Sequence, residues 1–176
     1  MAQAASNKTE WYSESKSNGI IIQNSLPRGG PYKGPVKRNF NYSHLVFFTR
    51  IVNERNVSVD LQVSFSADSI PIPHSPDTFV KLFLPSEIMT PDKKNLFDYG
   101  ISHRKSFDES TSFHRILKSK EECFFTVEAI AYQTVASADF HVRGGNRAEF
   151  ILDGKDLYFR MPPQIEWLLC GRIISR

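Results

Sequence analysis

Eight or nine short strands, one short helix and no alternation of strand with helix predict an all-β fold, an antiparallel β-sandwich, for this chain of 176 residues. Three stretches carry that reading. Val57, Val59, Leu61, Val63 and Phe65 alternate with Ser58, Asp60, Gln62, Ser64 and Ser66, as in a strand with one face in a core and the other in water. Residues 43–53 are apolar on both parities, as in a central strand covered on both faces. Asp153-Gly154, between strand-like stretches at 147–152 and 157–161, is a strong short-range hairpin signal. A closed β-barrel built from the same strands is the alternative architecture.

The remaining elements follow in chain order. Residues 1–18 are rich in Ser, Asn, Lys and Glu without periodicity and read as a flexible N-terminal arm ahead of a single domain, 19–176. Residues 19–25 form the first strand, and 26–40, dense in Gly and Pro, a connection. Pro71, Pro73 and Pro76 make 66–78 an extended crossing loop, because proline cannot donate to a ladder. A strand at 78–84 is closed by Pro85. Thr90-Pro91 then opens the one helix, with Thr as N-cap, Pro at the first helical position and Gly100 at the C-terminal cap. Strands at 113–117 and 122–133 flank the turn 118–121, and Cys123, Phe125, Val127, Ala129 and Ala131 share one face of the second. Residues 165–174 form the last strand, with a bend at Cys170-Gly171.

Leu, Ile, Val and Phe account for 49 of the 176 residues, enough for a packed core without metal or disulfide. No apolar run approaches the roughly 18 residues of a membrane-spanning helix, so no membrane insertion is expected. No secretory leader is visible, and the expectation is a cytoplasmic protein whose two cysteines are reduced, buried apolar groups. The net charge of +3 is uneven. Arg28, Lys33, Lys37 and Arg38 fall in 26–40 without a single acid, so an affinity for an anionic polymer belongs to that segment.

The candidate sites follow from these patterns. Arg28, Lys33, Lys37 and Arg38, with Tyr32 and Phe40 among them, supply cations for anionic groups and rings for stacking. Trp11, Tyr12 and Trp167 are candidate contacts for a protein partner. Asp139 and His141 share a strand face, but two ligands fall short of the three a catalytic zinc needs, so no metal or other cofactor is expected. Nucleophile elbows and phosphate-binding loops are absent. The function read from this is a non-catalytic binding or assembly module that meets a protein, a second copy of itself or an anionic polymer or glycan through loops and exposed aromatics. The alternative is a small enzyme whose site is assembled around Asp139 and His141, with His114 nearby.

Overall fold

The computed structural model describes residues 11–30, 32, 34–37, 39–95, 106, 108–134 and 147–176. Their strands form two antiparallel sheets with a shared core, as the sequence predicts. The larger sheet runs β1 (Ser13–Ser17), β2 (Ile20–Asn24), β4 (Asn41–Asn53), β9 (Glu122–Gln133), β7 (Thr78–Phe83) and β6 (Ile70–Pro71), with β3 (Arg28–Gly30) also paired to β4. One of the two sheets curls into a half-barrel. The second sheet runs β10 (Glu149–Asp153), β11 (Asp156–Met161), β12 (Ile165–Ser175), β5 (Val59–Phe65) and β8 (Thr111–Leu117).

Four details correct the expectation. The arm is not loose up to residue 18: β1 pairs with β2 from Ser13↔Asn24 to Ser17↔Ile20. Asn18 and Gly19 close that hairpin with φ of 48° and 73°, the backbone an Asn-Gly dipeptide supplies in a tight primed turn. Within the Gly/Pro connection, Arg28–Gly30 is a strand opposite Val46, Leu45 and His44. Ile70–Pro71 pairs with Val80 and Phe79 despite its proline, at the sheet edge where a missing donor is tolerated. In place of the helix from Thr90 there is a 3-10 turn, Pro91–Asn95, and residues 96–100 lie outside the described ones.

The core forms where strand alternation predicts it. Val59, Leu61, Val63 and Phe65 of β5 face Phe47 and Ile51 of β4 and Cys123, Phe125, Val127 and Ala129 of β9, whereas Val57, ahead of the strand, is exposed. Phe47, Phe65, Phe125, Phe150 and Phe159 meet edge-on or tilted at centroid separations of 5.2–6.5 Å, so aromatic packing crosses between the sheets. β4 is buried on both faces, as its sequence requires. Val46 and Phe48 pack outward against Met89 and Phe124, while Tyr42 packs outward beside Tyr32, Phe83 and Ile130.

Buried asparagines tie this sandwich together. Asn53, fully buried at the end of β4, donates through Nδ2 to the carbonyls of Val57, Leu117 and Lys118 at 2.9–3.1 Å. It thereby joins the end of one sheet to the start of β5 and the end of β8 in the other.

Candidate binding face

The basic segment is only partly visible, because Lys33 and Arg38 lie outside the described residues. Arg28 is exposed on β3, and Lys37 is exposed with its Nζ 5.9 Å from the centre of the Phe40 ring. The rings expected to receive a ligand pack on the protein itself. Tyr32 stacks on Tyr42 at 5.4 Å, and Phe40 stacks on Tyr132 at 6.0 Å. Tyr132 stacks in turn on Phe79, so aromatic side chains of β4, β9 and β7 form a ladder on the outside of the larger sheet. The Lys37 N–H donates to Tyr42 Oη, and desolvation raises the Tyr42 phenol above its ordinary range. A segment dense in Gly and Pro reads as loop because one of its docking partners, Tyr132, is distant in sequence.

Trp11 is half-buried at the entrance to β1, and the Tyr12 N–H bonds the Asn24 carbonyl. The Arg147 guanidinium lies 4.9 Å above the Tyr12 ring. These two aromatics therefore lead into a sheet edge. Asp139 and His141 lie outside the described residues. His114 Nε2 is 2.7 Å from Asp60 Oδ1, on a neighbouring strand.

Trp167 occupies a different setting. It is 56% exposed on β12, and Leu169, two residues on, is 58% exposed. The Arg160 guanidinium covers one face of the indole at 4.9 Å while donating to the Glu166 carbonyl, and Tyr158 meets the ring edge-on at 5.5 Å. Glu149, opposite Arg160 on β10, approaches that guanidinium at 3.5 Å. The indole is thus held by its neighbours while much of it faces solvent.

The registers map the rest of this outer face. Tyr158 lies opposite Leu169. One row crosses all five strands as Asp153, Asp156, Arg172, Gln62 and His114, and the next reads Ile174, Asp60 and Ile116. A shallow groove of about 570 Å³ runs among Leu169, Arg172, Gln62, Ser64, Ser112 and His114. β12 is bulged beside it: Leu157 opposes Gly171 and Tyr158 opposes Leu169, leaving Cys170 as the extra residue. Cys170 points inward, with Sγ donating to the Leu157 carbonyl at 3.3 Å, and burial pushes its thiol up to about 12.

Asp60 anchors the polar side of the face. Burial alone would raise its carboxyl, but hydrogen bonds from Arg176, His114 and Gln62 outweigh this and hold it below the ordinary aspartate value. Arg172 reaches Gln62 Oε1 at 3.2 Å, and among the described residues neither Arg172 nor Asp156 forms an ion pair.

Sequence reasoning missed a second polar group. His44, Lys81 and Glu128 are 3%, 6% and 1% exposed on the covered outer face of the larger sheet. His44 and Lys81 both oppose Ile130, and Glu128, two residues earlier, lies diagonal to each. Lys81 Nζ is 3.0 Å from Asp108 Oδ1, and this hydrogen bond, together with the Lys81 charge, holds the Asp108 carboxyl below its ordinary value. Outward parity in the strand pattern was the available signal, but parity alone marks such residues as solvated. Covering segments decide their burial.

Among the described residues no helix is long and apolar enough to cross a membrane. Comparison with protein-family models, with curated proteins and with solved structures finds no match to this chain.

Proposed function

We propose that this chain is a non-catalytic protein-binding module that engages its partner through the outer face of the five-stranded sheet. The carrying observation is Trp167, more than half exposed yet pinned between Arg160 and Tyr158. Trp, Tyr and Arg are the residues most often dominant in protein interfaces, and a ring already fixed loses little rotamer freedom on binding. Leu169 extends the patch with aliphatic surface, and the adjoining groove is open and shallow rather than a deep cleft of converging catalytic groups.

The test is affinity capture from cells that make the protein, comparing the native chain, Trp167→Ala and Tyr12→Ala. Tyr12 is an exposed aromatic just ahead of β1, at the edge of the larger sheet, so its variant controls for general stickiness. Proteins retained by the native chain and Tyr12→Ala but lost with Trp167→Ala, at unchanged melting temperature, are the expected result. Identical retention by all three chains sinks the proposal.

A further inference from the structure

We infer that β8 is an edge for strand addition, taking up an extended segment of a partner protein that runs antiparallel to it and brings a carboxylate opposite Arg115. This contact goes beyond the reading above, because β8 ends the five-stranded sheet and β5 separates it from the strand that carries Trp167. The registers show which main-chain groups it offers. The Arg176 N–H donates to the Ser58 carbonyl, and the Gln62 carbonyl oxygen lies against Gly171 of β12. Alternation then turns the main chain of Asp60, Gln62 and Ser64 toward β12, and that of Val59, Leu61, Val63 and Phe65 toward β8. Leu117, Arg115, Phe113 and Thr111 answer the second set. Ser112, His114 and Ile116 therefore present their N–H and C=O groups to the open side of β8, where no described residue bonds them.

The other three ends of the sheets are blunted by familiar devices. β6 has two residues, one of them Pro71. In β10 the Phe150 N–H is taken by Asn24 Oδ1. β1 has no apolar side chain and exposes Glu14 and Lys16. Seven residues make β8 the longest of the four, and it keeps apolar surface. Ile116 is exposed, and Phe113 is half-buried where it stacks on Phe125 at 5.1 Å.

Arg115 sets the chemistry of the segment. It shares the core-side parity of Phe113 and Leu117, yet it is exposed and forms no ion pair among the described residues. Glu121 and Glu122, the acids that act with it on the Cys123 thiol, are engaged elsewhere, Glu121 by the Lys118 N–H and Glu122 by Arg50. A core-side charge on an edge strand discourages indiscriminate pairing, because any strand laid beside it must cover that charge. A strand with Asp or Glu opposite Arg115 neutralises it instead. Since Ser112, His114 and Ile116 would make the main-chain bonds, Arg115 and Phe113 fall at the non-hydrogen-bonded positions, where facing side chains come closest. Read from its N-terminus, the recognised antiparallel segment is thus an acid, any residue, then an apolar residue, the acid against Arg115 and the apolar side chain against Phe113.

The test is an amide NMR titration of the full chain with the peptide Thr-Val-Thr-Glu-Thr-Leu-Thr-Val-Thr, whose Glu and Leu are spaced to meet Arg115 and Phe113. Saturable shifts centred on the Ser112, His114 and Ile116 amides are expected, with a dissociation constant below about 1 mM. N-methylation of the peptide's third, fifth and seventh residues should abolish them, since strand addition is carried by main-chain bonds. Replacing the peptide's Glu by Lys should weaken binding roughly fivefold or more, and Arg115→Glu should reverse that preference. Trp167→Ala is expected to bind the peptide as the native chain does, and melting temperatures verify that both variants fold.

Absence of saturable shifts up to about 1 mM overturns the inference, as does binding that tolerates N-methylation. Binding indifferent to the sign of the charge at position 115 overturns the acidic partner. Loss of peptide binding in Trp167→Ala places the peptide on the outer face and overturns this inference alone. Failure of the Trp167 capture experiment, with peptide binding as expected, overturns the earlier reading and leaves this one standing.

Discussion

The side-chain oxygen of Asn24 accepts the main-chain N–H of Phe150 at 3.0 Å, and this bond ties the edge region of the larger sheet to the first strand of the smaller one. The same oxygen accepts from Thr49 Oγ1 at 3.2 Å, and the Asn24 amide donates to Ser13 Oγ at 3.2 Å. Asn24 is 3% exposed, so water does not replace these partners. Asn24→Ala leaves the Phe150 N–H buried without its acceptor and is expected to cost about 1–3 kcal/mol. Gln23→Ala, on the adjacent and more exposed position, should cost less than about 0.5 kcal/mol. Denaturant unfolding of the two variants checks the difference, and equal costs would mean that Asn24 is not a tie between the sheets.

Three glycines are expected to rank by what an added methyl group meets. Gly154 has φ of 61° but open space around it, so Gly154→Ala carries only the left-handed backbone penalty of about 1–2 kcal/mol. Gly19 has φ of 73° and would also place a Cβ 2.9 Å from Arg55 Cγ, so Gly19→Ala costs somewhat more. A Cβ at Gly171 would lie 2.0 Å from the Gln62 carbonyl oxygen, and backbone cannot yield as a side-chain end does. Gly171→Ala should therefore be the most damaging, parting β12 from β5. Thermal melts of the three variants give the order directly.

Asp60 makes stability depend on pH in a defined direction. Its carboxyl is held below the ordinary aspartate value in the folded chain, so the folded state favours the ionised form more than the unfolded state does. That contribution is fully present above the unfolded aspartate pKa and is lost as pH falls through the folded one. Native protein and Asp60→Asn should therefore differ in stability at neutral pH and converge in the acid range below the ordinary aspartate value. Urea titrations at stepped pH test this, and a difference that grows on acidification would refute it.

Both cysteines should resist alkylation while the chain is folded. Burial pushes Cys123 and Cys170 up to about 12, so almost no thiolate exists at neutral pH, and both side chains are enclosed by the core. Mass spectrometry after iodoacetamide treatment is expected to find two modifications in denaturant and none in buffer. Rapid labelling of either thiol in buffer would show that the core around it opens readily.

Strands whose burial follows a simple period were legible in the sequence. The alternation of β5 places Leu61 inside and Gln62 toward the surface, and the double-sided apolar run of β4 places that strand in the middle of its sheet. Asp153-Gly154 gives the β10–β11 hairpin, because the turn conformation is encoded locally in the glycine backbone. Asn18-Gly19 carries the same local code, yet the polar residues of β1 mask it: Ser13–Ser17 is held as an edge strand by main-chain pairing, which side-chain hydrophobicity does not report.

Tertiary structure alone decided the candidate face. On β12 the inward residues are Ile165, Leu168, Cys170 and Ile173, a spacing of three, two and three created by register shifts against β11. No period of two predicts that Trp167 and Leu169 face solvent while Cys170 faces the core, because each shift inserts or removes a residue from the alternation. His44, Lys81 and Glu128 make the converse case. Their strand parity is outward, and they are buried only because segments distant in sequence fold across the outside of the sheet. Local sequence set which segments are strands and where several of them turn; long-range packing set which surfaces remain open for another molecule.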